Sequence, residues 1–145
     1  MANDELPVGL LMFISFRYLE GRVHEALEAA GYGDVSIAQG RVAARIAPGG
    51  SRLTDIAEQA QITKQTAGFL VDQLEKSGIV ERVSDPMDKR ARLVRFTERG
   101  KKLSATADAA VAEVEAEWVA HLGKRHMDQL RRALSELREV TDPYM

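Results

Sequence analysis

Apolar residues return every three to four positions from near the start of the chain. Leu10, Phe13, Ile14, Tyr18, Val23 and Leu27 form one stripe, which predicts a helix over residues 8–30. Gly31 and Gly33 stop it, because glycine readily takes the positive φ of a helix C-cap. Ser36 is placed to cap a second helix through "IAQGRVAARIA", which "PGG" at 48–50 ends. Thr54 then caps a short helix, "DIAEQA", and Thr63 a longer one, "KQTAGFLVDQLEKSG", closed by Gly78. The period next changes from helical to alternating. "IVERVSD" and "ARLVRFT" read as two strands around Pro86, a β-hairpin with a long basic tip. A helical stripe resumes from residue 98 through Leu103, Ala107, Ala110, Val114 and Trp118. Met127, Leu130, Leu134, Leu137 and Val140 mark a last helix ending near 141.

The predicted fold is therefore mainly α with a small β-hairpin, in a single domain spanning 1–145. Two short helices joined by a few residues around Ile62 have the composition of a helix-turn-helix. Followed directly by a basic hairpin, they make a winged helix-turn-helix lobe over 36–97. The stripes at 8–30 and 98–141 lack enough partners within so short a chain, which predicts a helical dimerisation region and a homodimer.

Charge sharpens the picture. The net charge is −2, yet residues 61–102 alone carry +4 and the remainder −6. A basic middle between acidic ends suits a polyanionic partner. There are no cysteines, so disulfides, thiolate metal sites and cysteine redox switches are excluded. No apolar run approaches the roughly 20 residues of a membrane span, and the N-terminal "MANDELP" is too acidic and short for a signal peptide. A cytoplasmic protein without membrane contact is the expectation.

An α-helix fits the major groove of B-DNA, and its outward residues read base edges there. In the longer helix of the pair, Ala67, Leu70, Val71 and Leu74 form the inward stripe, leaving Lys64, Gln65, Gly68, Phe69 and Asp72 outside. A hairpin can reach the adjacent minor groove, where an arginine is favoured. Residues two apart on a strand share a face, so Asp88 can orient Arg90 by a charge-assisted bond, while Lys89 and Arg92 are free to take phosphates.

From "LTDIAEQAQITKQTAGFLVDQLEKSGIVERV" to "DPMDKRARLVRFTERG" the sequence resembles the MarR (multiple antibiotic resistance regulator) family, with the Asp-Pro-x-Asp-x-Arg run as the most specific element. The resemblance implies a homodimeric transcriptional regulator, of repressor type, on a double-stranded pseudo-palindromic DNA operator, with the first and last helices forming the dimer interface. It implies DNA contacts from Thr63, Lys64, Gln65 and Thr66, from the outward positions Gly68 and Phe69, and from the wing residues Asp88, Lys89, Arg90 and Arg92. It also implies a cleft for a small aromatic or lipophilic effector, for which Met12, Phe16, Arg17, Tyr18 and Trp118 are the candidates. Three positions depart from the family pattern. Phe69 and Gln73 stand where arginine is common, and Gly68 where a small polar residue is common. Phe69 either touches a thymine methyl or folds down onto the protein.

Other functions find less support. No acid pair, Ser-His-Asp arrangement or phosphate loop points to an enzyme. His121 and His126 are five apart and do not share a helix face, so neither a metal site nor a cofactor is expected. A winged-helix protein-interaction module would show a neutral wing, against which Arg90 and its neighbours argue.

Overall fold

The computed structural model describes residues 5–144. Six helices and one hairpin follow in the order α1 (Val8–Ala29), α2 (Ile37–Ala43), α3 (Leu53–Ala60), α4 (Lys64–Lys76), β1 (Val80–Asp85), β2 (Asp88–Phe96), α5 (Glu98–Leu122) and α6 (Lys124–Thr141). The mainly α winged-helix architecture expected from the sequence is what forms.

The local signals acted largely as their chemistry requires. Gly31 takes φ +97° just beyond α1. Ser36 and Gln39 make a reciprocal capping box on α2: each side chain bonds the other's backbone N–H, at 3.1 and 3.2 Å. Thr97 caps α5 by accepting the Gly100 N–H at 3.1 Å. Two expectations shift. α2 ends at Ala43, because Arg45 and Ile46 turn back in three-residue steps onto the Val42 and Ala43 carbonyls. Thr54 is not a cap: α3 starts one residue before it, at Leu53, behind an extended Arg52 whose side chain is engaged elsewhere.

α2, α3 and α4 close around Val42, Ile56, Val71 and Leu74, all buried. Ile79, Val80 and Val94 extend this core under the hairpin, and Leu27 and Leu103 join it to α1 and α5. β1 and β2 are antiparallel, with Val80 opposite Phe96 and Val83 opposite Leu93. Ser51 adds a short third rung, exchanging backbone bonds of 2.8 and 2.9 Å with Val94. α1 packs along α5, whereas α6 touches little beyond α5 and buries only Met127. Beyond α6, the Tyr144 hydroxyl donates to the Glu58 carbonyl at 2.9 Å, next to Gln61 in the turn between α3 and α4.

Candidate nucleic-acid interface

The N-terminus of α4 is built by Thr63. Its hydroxyl oxygen accepts the Thr66 N–H at 3.0 Å, and its own proton goes to the Thr66 hydroxyl at 2.9 Å. Thr63 therefore shapes the first turn, while Thr66 keeps a free proton to donate outward. Ala67, Val71 and Leu74 are buried and Leu70 partly so, as the stripe predicts. Lys64 and Gln65 are exposed and make no hydrogen bond or ion pair with the described residues. Phe69 is 61% exposed, so its side chain stands away from the protein rather than folding onto it. At Gly68, an added Cβ would meet only Leu53 Cδ2, at 3.6 Å. Internal packing thus has room for alanine there. Gln73 turns inward, accepting the Gln39 side-chain amide at 2.9 Å and tying α4 to α2.

The hairpin differs from expectation at its tip. Asp85 pairs with Asp88, so the turn is only Pro86 and Met87, and Lys89, Arg90 and Arg92 lie on β2 itself. Proline sets the turn geometry at once, and Lys89, Arg90 and Ala91 then bulge out of register before pairing resumes between Ser84 and Arg92. The buried Asp85 carboxylate organises this corner. One oxygen accepts the Met87 N–H at 2.8 Å, and the other takes the Arg52 guanidinium at 2.8 and 3.1 Å. The Met87 N–H first, and Arg52 second, hold its pKa below the ordinary aspartate value. Asp88 accepts both the backbone N–H of Arg90, at 3.0 Å, and its Nε, at 3.3 Å. The guanidinium is thereby aimed while the side chain stays 92% exposed. Lys89 and Arg92 are exposed and unpaired among the described residues.

Helix and hairpin are fastened together by Arg82 of β1, which bonds Asp72 and Glu75 of α4, each at 2.8 Å. Sequence reasoning singled out neither Arg82 nor Arg52 nor the role of Asp85. The Asp-Pro turn signals Asp85, but its partner Arg52 is 33 residues away, and no local pattern marks such a pair.

A cleft of about 700 Å³ opens between α1, α2 and α5, lined by Phe16, Val23, Ile46, Phe96 and Leu103 among others. Arg41 reaches across its mouth to Glu20, with bonds of 2.7 and 2.8 Å, and this guanidinium holds the Glu20 pKa below the usual range. Of the five effector candidates only Phe16 lines the cleft. Tyr18 instead accepts a bond from Arg22 at 2.9 Å, and Arg17 lies over the Phe13 ring at 5.9 Å. Met12 is exposed and Trp118 half-buried, both outside the cleft lining. The helix period explains the difference: Phe16, Leu19, Glu20, Val23 and Leu27 share one face of α1, and Arg17 and Tyr18 are rotated off it. Among the described residues, no three His, Cys, Asp or Glu side chains converge to hold a metal ion.

Comparison with known proteins places this geometry. The MarR family model matches residues 34–91, from the end of the first loop into the start of the basic strand. CouR from Rhodococcus jostii RHA1, bound to p-coumaroyl-CoA, has the same fold at 24% identity and a TM-score of 0.73, over 95% of this chain and 94% of that one. MarR of E. coli in its apo form follows at 22% identity and 0.72, over 93% and 98%. The Mycobacterium tuberculosis MarR family protein Rv2887, in complex with salicylic acid, gives 26% identity and 0.66, over 92% and 98%. The search of curated proteins gives no match. With the family model matched across the helix-turn-helix and much of the hairpin, and the same fold running along nearly the whole chain, the protein is similar to the MarR family and shares its winged-helix fold.

Proposed function

We propose that the protein is a homodimeric, cytoplasmic repressor that seats α4 in the major groove and the hairpin in the flanking minor groove of a pseudo-palindromic operator. The observation that carries this reading is the set of exposed, uncommitted side chains on two elements locked together by Arg82. Lys64, Gln65 and Phe69 stand exposed on α4 beside Thr66 and Gly68, with Thr63 shaping its first turn, and Lys89, Arg90 and Arg92 stand on β2, with Asp88 aiming Arg90. Lys64, Lys89 and Arg92 meet phosphates, Gln65 reads a base edge, and Arg90 enters the minor groove. A wing with this charge disfavours a purely protein-binding role. No helix of the described residues is long and apolar enough to cross a membrane.

Residues 36–97 serve as the DNA-binding lobe, and 8–30 with 98–141 as the dimerisation region. The support is apolar surface. Leu10, Phe13 and Phe16 of α1 and Leu130, Leu134 and Leu137 of α6 are exposed in the single chain. An apolar face of this extent marks an association surface, and a second copy is the occupant that gives the two-fold symmetry of a palindrome. Such a dimer represses by occupying DNA that polymerase must contact. The cleft has the size and apolar lining of a small-molecule site. A small aromatic or lipophilic effector bound there, between the dimer helices and the lobe, releases the operator; salicylic acid in Rv2887 is a small aromatic ligand, and p-coumaroyl-CoA in CouR carries an aromatic acyl group. Selection of bound duplexes from a random pool tests the reading. An inverted repeat with half-sites about 10 bp apart is expected, and recovery of no preferred sequence would overturn it.

A further inference from the structure

Between α2 and β2 the lobe leaves three large apolar side chains exposed, and they differ in setting. Ile37 borders the effector cleft. Met87 sits at the tip of the hairpin turn, and Phe69 stands in the first half of α4 at 61% exposure. A solvated phenyl ring on a helix that buries its apolar stripe elsewhere has no role in this chain's own packing. Its surroundings are those of a base-reading face. Gln65 lies one turn before it, and neither Gln65 nor Lys64 has a partner among the described residues. Gly68 beside it leaves the helix surface bare where internal packing would admit a methyl group, which permits close approach of the helix to the groove floor.

In the major groove, thymine alone among the four ordinary bases presents an apolar group, its C5-methyl, and phenylalanine is suited to meet it. Phe69 offers neither a donor nor an acceptor and cannot distinguish bases in any other way. We infer that Phe69 reads a C5-methyl group on one pyrimidine of each half-site, so that the protein prefers thymine to uracil there and 5-methylcytosine to cytosine. This rests on the proposed seating of α4 in the major groove. It makes base methylation a modifier of binding at that position, because the methyl of 5-methylcytosine occupies the place of the thymine methyl.

The test uses the full-length dimer and a duplex taken from the selection, with deoxyuridine replacing thymidine at one position at a time in both half-sites. Burying one methyl group corresponds to about a fourfold change in affinity, so the doubly substituted duplex should bind about 15-fold more weakly at a single position and unchanged at the others. At that position 5-methylcytosine should bind more tightly than cytosine. Phe69→Ala should bind the thymidine and deoxyuridine duplexes alike, and Phe69→Leu should keep part of the preference. Because the side chain is exposed, both variants should melt as wild type does. Equal binding of all deoxyuridine duplexes by the wild type would overturn the methyl reading while leaving DNA binding intact, and so would a preference that survives in Phe69→Ala. A protein that binds no duplex in the selection would overturn the seating of α4 itself, and the methyl reading with it.

Discussion

The stretch from α2 to β2 and the helices α1 and α6 treat the same kinds of residue in opposite ways. In the first, Val42, Ile56, Val71, Leu74, Ile79, Val80 and Val94 are buried within one chain, and the surface left over is polar apart from a few side chains. In the second, an equally regular stripe stays open: Leu130, Leu134 and Leu137 of α6 are each about two-fifths exposed. Both regions are specified by periodicity, but periodicity says only that a face is apolar. The lobe finds the other half of its core in its own sequence, through helices that cross and a hairpin that folds back. α6 has α5 on one side and, among the described residues, no other element packed closely against it. The proposed division of labour follows: one region is a finished reading head, and the other is half of an interface.

That contrast can be broken most severely at the open stripe. Leu134→Glu combined with Leu137→Glu should leave the fold intact, since both residues are exposed in the chain, yet place charges in the interface. Light scattering should show a monomer. Operator affinity should fall by about a hundredfold or more as two linked half-sites become one. A variant that remains dimeric would move the interface elsewhere.

The next effect lies at the junction of the two regions. Gly100 opens α5 against the hairpin, where an added Cβ would stand 2.0 Å from the Ile79 carbonyl oxygen and 2.8 Å from the Phe96 ring. The backbone carbonyl is not free to yield, because it already accepts the Thr97 N–H. Gly100→Ala should destabilise the protein by roughly 3 kcal/mol, the upper end for overpacking. An unchanged urea midpoint would contradict the close approach.

The same change at Gly68 should act in the opposite sense. Alanine there meets only an ordinary contact and gains about 1 kcal/mol of helix propensity. Gly68→Ala should raise the melting temperature while lowering operator affinity, because α4 is proposed to approach the groove floor at this position. Affinity unchanged in the stabilised variant would mean that α4 does not approach DNA so closely.

The smallest effect is a pH dependence confined to the wing. The folded pKa of Asp85 is depressed by the Met87 N–H and Arg52, so its contribution is complete above the ordinary aspartate value and is lost as pH falls through the folded one, below about 4. The Met87 amide resonance should report that transition in the wild type and not in Asp85→Asn. A titration at the ordinary aspartate value would show that the turn does not hold the carboxylate.

Much of this molecule was legible in residue order, and what was not has a common cause. Ser36, Thr63 and Thr97 cap their helices by bonds spanning three residues, and such signals are visible in a short window. Thr54 misled for the same reason. A threonine before a helical run looks like a cap unless one knows that the extended Arg52 before it is bonded to a carboxylate 33 residues further along the chain. The hairpin's existence was readable, but its tight tip depends on the Asp85–Asp88 pairing. The cleft was least legible. α1 carries apolar residues around most of its circumference, and only its packing on α5 turns the face of Phe16, Leu19 and Val23, rather than that of Met12 and Tyr18, to the cleft.

The claim that the hairpin and α4 form one DNA-reading surface rests most directly on Arg90. Among the described residues its guanidinium is held by Asp88 alone, and it is otherwise in solvent, so Arg90→Ala leaves no cavity and should melt within about 0.5 kcal/mol of wild type. Operator affinity of the two proteins, measured at one fixed salt concentration beside their thermal melts, decides the matter. A loss of about tenfold or more with an unchanged melt is the expected result, as for a charge-assisted contact removed. Equal affinity would mean that the basic hairpin is not a wing that reads DNA.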